Sequence, residues 1–300
     1  MNWSQIDNVS AIRTILLGVF FCITTTANCQ SDSAEIVGSY YMSSGNPEGG
    51  SHFIVMPDHT FVVTYFGGMR KGTWELQDDR YFFTYHVEPV FVLYARNNPK
   101  VTDSVSVRIA IDGNRSFALR LNASGDEPFT PLFNKNANCF DYPYILKQKE
   151  ALKNLDAYAP DRGYRSQNEL EDLGEQYSFN TEIQHNEFIL AGLSREYSTP
   201  RSFSATFANN SMVLNDSKTI EKSGEIEDMN AEDMQFVKQF IETELFPKQL
   251  VYGNEFFPHY DSPTETNIQP YVRIEAKLTS LQHIVIQEKS LFLANCEDDD

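Results

Sequence analysis

Glu182, His185 and Glu187 lie close together in "EIQHNEF", and His259 stands near Asp261 in "PHYDSP". An imidazole beside carboxylates is what a metal centre or a general-base pair requires. On a strand or turn, however, the first group reads as a wet polar cluster, and the second as a Pro-flanked surface loop. The other histidines, His52, His59, His86 and His283, form no helical pair of the His-Glu-x-x-His kind. The chain has no Gly-x-Ser-x-Gly elbow and no phosphate-binding glycine loop. "FGGMRKG" falls between strand-like runs and reads as a hairpin. With 42 Asp and Glu residues, no carboxylate pair stands out as a catalytic couple. No catalytic residue, metal ligand or cofactor follows from these patterns.

The cysteines and the stretch around the first two of them say where such a chain works. "TILLGVFFCITTTANCQSDSAE" runs from Thr14 to Glu35. Its apolar core, Ile15 to Ile23, is far shorter than the roughly 20 residues of a spanning helix. It suits a signal peptide over residues 1–29, with Arg13 in front and Ala27-Asn28-Cys29 at the cut. Two readings of Cys29 stay open. Cleavage after it leaves Gln30 first, which is the preferred reading. Lipidation of Cys29 is the other, although Thr26 and Asn28 stand where a lipoprotein signal has Leu and a small residue. Either way the protein is expected outside the cytoplasm, secreted or in the periplasm and cell envelope. Membrane contact is expected only through a lipid on Cys29. Cys139 and Cys296 then remain as an even pair in an oxidising space, and a disulfide between them is expected.

Composition narrows the partners. A net charge of −18 opposes nucleic acid, which is bound through Lys and Arg that displace counterions. It equally opposes docking on anionic lipid. Hydrophobic residues make up 41% of the chain, with 22 Phe and 15 Tyr, so most of it is able to bury a core and fold. A small apolar ligand or an envelope protein is the partner these properties leave open.

The elements that must position any site are mainly strands. Eight closely spaced runs are expected: Val37–Met42, His52–Met56, Thr60–Phe66, Lys71–Leu76, Tyr81–His86, Val90–Ala95, Ser104–Ile111 and Ser116–Leu121. Pro57-Asp58-His59, Gly67-Gly68, Asp78-Asp79 and Asp112-Gly113 supply turns, the last with the sequence of a type I′ hairpin. Later strands alternate cleanly, whereas "TFVVTYF" and "VFVLYA" are apolar on both faces and need a second apolar environment. "PYILKQKEALKNLDAYAP" (Pro143 to Pro160) is rich in helix formers, with Ile145, Leu152 and Leu155 apolar, and "RSQNELEDLGEQY" is expected to add another helical turn. Strands resume at Glu187–Leu193, Ser202–Phe207 and Met212–Leu214. The clearest helix is capped by Asn230 and striped by Met234, Val237, Ile241 and Leu245. Further strands are expected at Tyr271–Leu278, His283–Gln287 and Ser290–Leu293. The loop "NEFFPHYDSP" reads as anchored in the core by Phe256, Phe257 and Tyr260, with an exposed ligand patch as the alternative.

Gly38-Ser39-Tyr40, Asp58-His59-Thr60-Phe61 and Gly72-Thr73-Trp74 together resemble the bacterial lipocalin-like secreted domains. Tyr40 stands where lipocalins proper place Trp. The resemblance covers about the first third of the mature chain, and it implies an up-and-down barrel that binds a small apolar molecule in its lumen. Phe61, Val63, Tyr65, Phe83, Tyr85 and Tyr94 are then the candidates to face that lumen. A core filled by the same side chains is the competing account.

The expected fold is α+β and mainly antiparallel β. An eight-stranded up-and-down barrel-like domain over residues 34–135 precedes a helical connector over 136–180. An α+β domain over 181–300 ends in an acidic tail, and the region after the barrel holds two main helices. The expected role is that of an exported, non-catalytic binding or envelope-associated protein. A hydrolase with a site assembled from sequence-distant residues is the alternative, followed by a structural module of the envelope.

Overall fold

The computed structural model of the chain describes residues 35–43, 49–111, 117–123, 125, 127–161, 174–250, 256–258 and 268–295. The leader with Cys29, the Asp112-Gly113 turn, most of "RSQNELEDLGEQY", Tyr260, the His259–Asp261 pair, Cys296 and the acidic tail lie outside these residues. The fold is α+β and mainly antiparallel β, with a closed eight-stranded barrel. All eight strands expected before residue 122 are present. They are β1 (Gly38–Met42), β2 (Ser51–Val55), β3 (Thr60–Tyr65), β4 (Gly68–Gln77), β5 (Arg80–Tyr85), β6 (Phe91–Arg96), β7 (Val105–Ile111) and β8 (Ala118–Leu121).

Only the first five of these belong to the barrel. The chain forms two compact units, one from Met1–Tyr85 and Ser202–Ile241, the other from His86–Arg201 and Glu242–Asp300. β14 (Ser202–Ala208), β15 (Ser211–Leu214) and β16 (Lys218–Gly224) complete the barrel in the order β1-β16-β15-β14-β5-β4-β3-β2. This corrects the expectation of one continuous barrel over 34–135. Five strands leave two open edges, and closure needs a complete ring with consistent tilt. β14 pairs antiparallel with β5, and β16 with β1, so both edges are taken.

Tight turns set the register of this ring. Asp78 and Asp79 both have positive φ between β4 and β5, as do Asn209 and Asn210 between β14 and β15. That is the type I′ geometry whose twist matches the flanking strands. Inside, period-two alternation points Tyr40, Phe53, Phe61, Val63, Trp74, Tyr81, Phe83 and Met212 into one apolar cluster. Phe83 stacks on Phe203 at 4.8 Å, while Phe53, Phe61 and Phe83 meet edge to face at 5.2–5.4 Å. Gly72 is needed for this packing: a Cβ there would come within 2.2 Å of the Thr84 carbonyl oxygen and 2.5 Å of the Phe61 ring. At the same end of the barrel, Trp74 Nε1 donates to the Met56 carbonyl and stacks on His59 at 4.4 Å. The Tyr40 hydroxyl donates to the Ile36 carbonyl at 2.6 Å.

The first unit also carries α2 (Ala231–Glu242) on the outside of the barrel. Asn230 caps it as expected, its Oδ1 accepting the Glu232 N–H at 2.8 Å. Val237 and Phe240 are its buried residues, and Met234 and Ile241 flank them, giving one apolar stripe. Lys71, on the outer face of β4, donates to the Phe240 and Ile241 carbonyl oxygens at 2.8 and 3.1 Å. A cation at the C-terminal end of a helix is where the macrodipole favours it. Ile54 and Val62 face outward from the barrel yet are buried, which accounts for the two-sided apolar character of "TFVVTYF".

The second unit holds two sheets. One runs β10 (Tyr144–Gln148), β7, β13 (Glu187–Gly192), β6, β18 (Tyr271–Ile274), β17 (Gln249–Leu250). The other runs β19 (Lys277–Leu281), β12 (Gly174–Asn180), β11 (Asn154–Pro160), β8, β9 (Thr130–Pro131). The second unit has one α-helix among its described residues, the single turn α1 (Arg195–Ser198). The helical connector over 136–180 is therefore corrected: Pro143 to Pro160 makes strands β10 and β11. Leu155, Ala157 and Ala159 alternate into the apolar cluster, and β11 pairs along its length with β12 and β8. Tertiary pairing of that extent overrides a helix preference of a few tenths of a kcal/mol per residue. The strands expected at His283–Gln287 and Ser290–Leu293 reduce to isolated bridges at Ile286 and Phe292.

Phe83→Ala is expected to destabilise the protein by about 3–5 kcal/mol, because it removes the centre of a filled aromatic core. Urea unfolding followed by tryptophan fluorescence measures this; a loss under about 1 kcal/mol would mean that the barrel interior collapses or is not packed.

Candidate functional site

The expected lumen residues divide. Phe61, Val63 and Phe83 are buried in the barrel cluster, and Tyr65 and Tyr85 pack partly buried against it. Tyr94 does not join them, and its assignment to the lumen is corrected. It lies on β6 in the second unit, where its ring meets Phe257 at 5.8 Å and its hydroxyl donates to the Pro247 carbonyl at 2.8 Å. The segment that follows α2 thus covers the second apolar face of "VFVLYA". Phe257 also packs on Phe246 at 5.9 Å, so it anchors its loop in the core.

Within the barrel the rings contact one another rather than lining an open space. Arg70 is a buried charge of the barrel. Its guanidinium lies 4.2 Å from the Tyr85 ring centroid, and Tyr85 meets Phe61 at 5.1 Å. A desolvated cation–π contact of this kind is worth about 2 kcal/mol. Arg70 therefore joins the aromatic plug as a stacked plate.

Among the described residues, the Glu182, His185 and Glu187 group does not converge on a reaction centre. Glu187 accepts from Arg96 Nε at 2.6 Å and from Asn98 Nδ2 at 2.9 Å, while Arg96 stacks over Tyr271 at 4.2 Å. That carboxylate serves a largely buried ion pair between β13 and β6. The His185 ring meets Phe188 edge-on at 6.2 Å. Among the described residues, no three His, Cys, Asp or Glu side chains are grouped to hold a metal ion.

An open concavity among the described residues of the first unit lies on the outer wall of the barrel. It has a volume of about 380 Å³ and sits between strands β1–β4 with β16 on one side and α2 on the other. Its apolar lining is Ile54, Met69, Met229, Phe236 and Val237. Its polar lining is Ser39, His52, Thr64, Ser223 and Asp233. The strand residues are the outward-pointing partners of the plug: Ser39 precedes Tyr40, His52 and Ile54 bracket Phe53, and Thr64 follows Val63. Ser39 and Ser223 face each other across β1 and β16, hydroxyl to hydroxyl at 3.2 Å. His52 leans on Tyr41 with ring centroids 5.1 Å apart. Volume and mixed lining match small-molecule sites, which span about 300–1,000 Å³ with a few placed polar groups.

None of these lining residues was a sequence candidate. The available signal was the outward face of β1–β3, where Ser39, His52, Ile54 and Thr64 mix polar and apolar character beside an amphipathic helix. No known family, curated protein or solved structure matches the chain.

Burial raises three tyrosines above the ordinary phenol range. Tyr177 is pushed up to about 12 by burial first and by Glu175 second. Tyr40, buried and near Glu225, and Tyr94, also buried, are raised further. The folded state then holds these protons more tightly than the unfolded chain. Their contribution to stability is complete below about pH 10, the unfolded phenol value, and is lost as pH rises through the raised values. Thermal melts between pH 8 and 12 are expected to show Tm falling above about pH 10, with phenolate absorbance lagging behind that of free tyrosine. A flat Tm across that range would contradict the burial of these phenols.

Proposed function

We propose that this is an exported, non-catalytic binding protein, in which a lipocalin-like barrel serves as a rigid frame and a small ligand sits in the cleft against its outer wall. The observation that carries the reading is the cleft itself, a mixed polar and apolar hollow of about 380 Å³ beside an interior already filled by its own side chains. A filled barrel has little room for the lumenal ligand that the family resemblance implies. The same filling makes the strands that present Ser39, His52, Ile54 and Thr64 stiff supports. Export rests on the apolar leader ahead of Gln30, and the net charge of −18 suits solubility in an extracytoplasmic space.

A disulfide between Cys139 and Cys296 belongs to the same proposal. The backbone N–H of Cys139 donates to the carbonyl of Ala294 at 3.2 Å, and Asn138 donates to the same oxygen at 2.8 Å. This brings Cys139 beside the chain that leads into Cys296. Closing a loop of this size is worth upwards of about 4 kcal/mol in chain-entropy models.

Native mass spectrometry of the full chain, purified from a host that exports it, tests the proposal. A chain beginning at Gln30, or at a lipidated Cys29, with a retained small molecule is expected. Thr64→Trp, which fills the cleft from its strand side, is expected to lose that molecule with Tm unchanged. Retention of the leader through Asn28 would end the export reading. A ligand that survives Thr64→Trp, or a wild type holding none, would end the assignment of the cleft. Peptide mapping without reductant is expected to recover Cys139 linked to Cys296, and free alkylation of both would remove the disulfide.

A further inference from the structure

The cleft is not electrically neutral. Asp233 is the one carboxylate among its lining residues, and no Lys or Arg lines it. Asp233 sits in the first turn of α2 beside Glu232, with the Asn230 side chain already occupying the Glu232 N–H. A helix N-terminus carries roughly half a positive charge, and these two carboxylates together outweigh it. Lys71 is committed to the carbonyl oxygens at the opposite end of α2, Lys222 of β16 is paired with Glu225, and Lys238 of α2 is not among the lining residues. The surrounding field has the same sign, since the whole chain carries −18. An anionic ligand would meet repulsion in the cleft and around it.

The remaining lining describes the rest of the ligand. Met69 and Met229 bring unbranched, polarizable side chains that adapt to irregular apolar shapes. Phe236 is 40% exposed, an apolar ring left partly open to water at the cleft rim. The Ser39, Ser223 and Thr64 hydroxyls lie on the strand side and accept as well as donate. An apolar body against the methionines and Phe236, with an N–H-bearing cationic head at Asp233, meets these groups, while His52, the other titratable lining residue, leans on Tyr41.

We infer that the cleft selects small amphipathic amines, in which an ammonium group meets Asp233 and an aliphatic or aromatic body fills the space between α2 and the barrel wall. This inference rests on the proposed binding role of the cleft. Asp233 is exposed, so its ion pair with an ammonium is worth the modest amount of a surface pair. That amount corresponds to a preference of about fivefold over a neutral ligand of the same shape.

Calorimetric titration of the full mature chain at pH 8 with octylammonium, octanol and octanoate provides the test. Octylammonium is expected to bind about fivefold tighter than octanol, with octanoate weakest. Asp233→Asn is expected to bring octylammonium down to the affinity of octanol. Glu232→Gln removes an equal charge from the same turn outside the lining, and is expected to leave the preference intact. Met229→Trp is expected to abolish binding of all three. Equal or tighter binding of octanoate would overturn the amine assignment, as would a preference that survives Asp233→Asn. If octanol binds and Met229→Trp blocks it without any preference for the amine, the ligand class fails and the binding cleft stands. If the wild type binds none of the three probes, both fail.

Discussion

A β-sheet that curls into a ring must satisfy the last edge as well as the first. In this protein the edge of β5 is hydrogen-bonded by β14, and that of β1 by β16. Neither partner is near in sequence. Every other property of the first unit depends on that closure: the filled interior, the outward positions of Ser39, His52 and Thr64, and the wall on which α2 lies. If the ring were open, the aromatic residues now packed inside would face water along two unpaired edges.

Closure also separates the two faces of each strand into different tasks. Inward residues on β2 and β3, Phe53, Phe61 and Val63, fill the ring. Outward residues on the same strands meet a helix over one stretch and a cleft over the next. Ile54 shows the division within one side chain: it is buried under the helix side of the wall and also lines the cleft beside Val237. An interior packed to the density of an organic crystal transmits little slack to such positions. Side chains presented outward on such a wall, Ser39, His52, Ile54 and Thr64 among them, keep their spacing.

Much of this architecture was legible in the residues. Alternation and turn chemistry located the first eight strands, and Asn230 marked the start of α2. Two kinds of information were not local. β16, "KTIEKSG", has one buried apolar residue, Ile220, so its alternation is nearly silent although it closes the ring. β10 and β11 are made of residues with helical preferences, and only partners far along the chain hold them extended. The cleft was illegible for a related reason. Its lining comes from four strands of the first segment, one of the last, and a helix, and no short motif spans them. The lumen candidates rest on the lipocalin-like resemblance and on strands that are apolar on both faces. Those criteria identified the plug in Phe61, Val63 and Phe83, and also captured Tyr94, whose strand is apolar on two faces for reasons internal to the second unit.

The insertion of residues 86–201 between β5 and β14 has a kinetic face. The barrel's last seams join positions as distant as Tyr81 and Ala205, or Tyr40 and Lys222. Loop-closure entropy grows only as the logarithm of length, about 0.6 kcal/mol per doubling, so the finished ring loses little stability from the detour. Rate is another matter, because non-local pairings must be found before they are rewarded, and chains dominated by them fold slowly. Before β14 to β16 are synthesised, the edges of β1 and β5 lack their native partners. In this interleaved order the first unit is complete in sequence before the last strands of the second exist, and unpaired edges are what favours aggregation while a chain is incomplete.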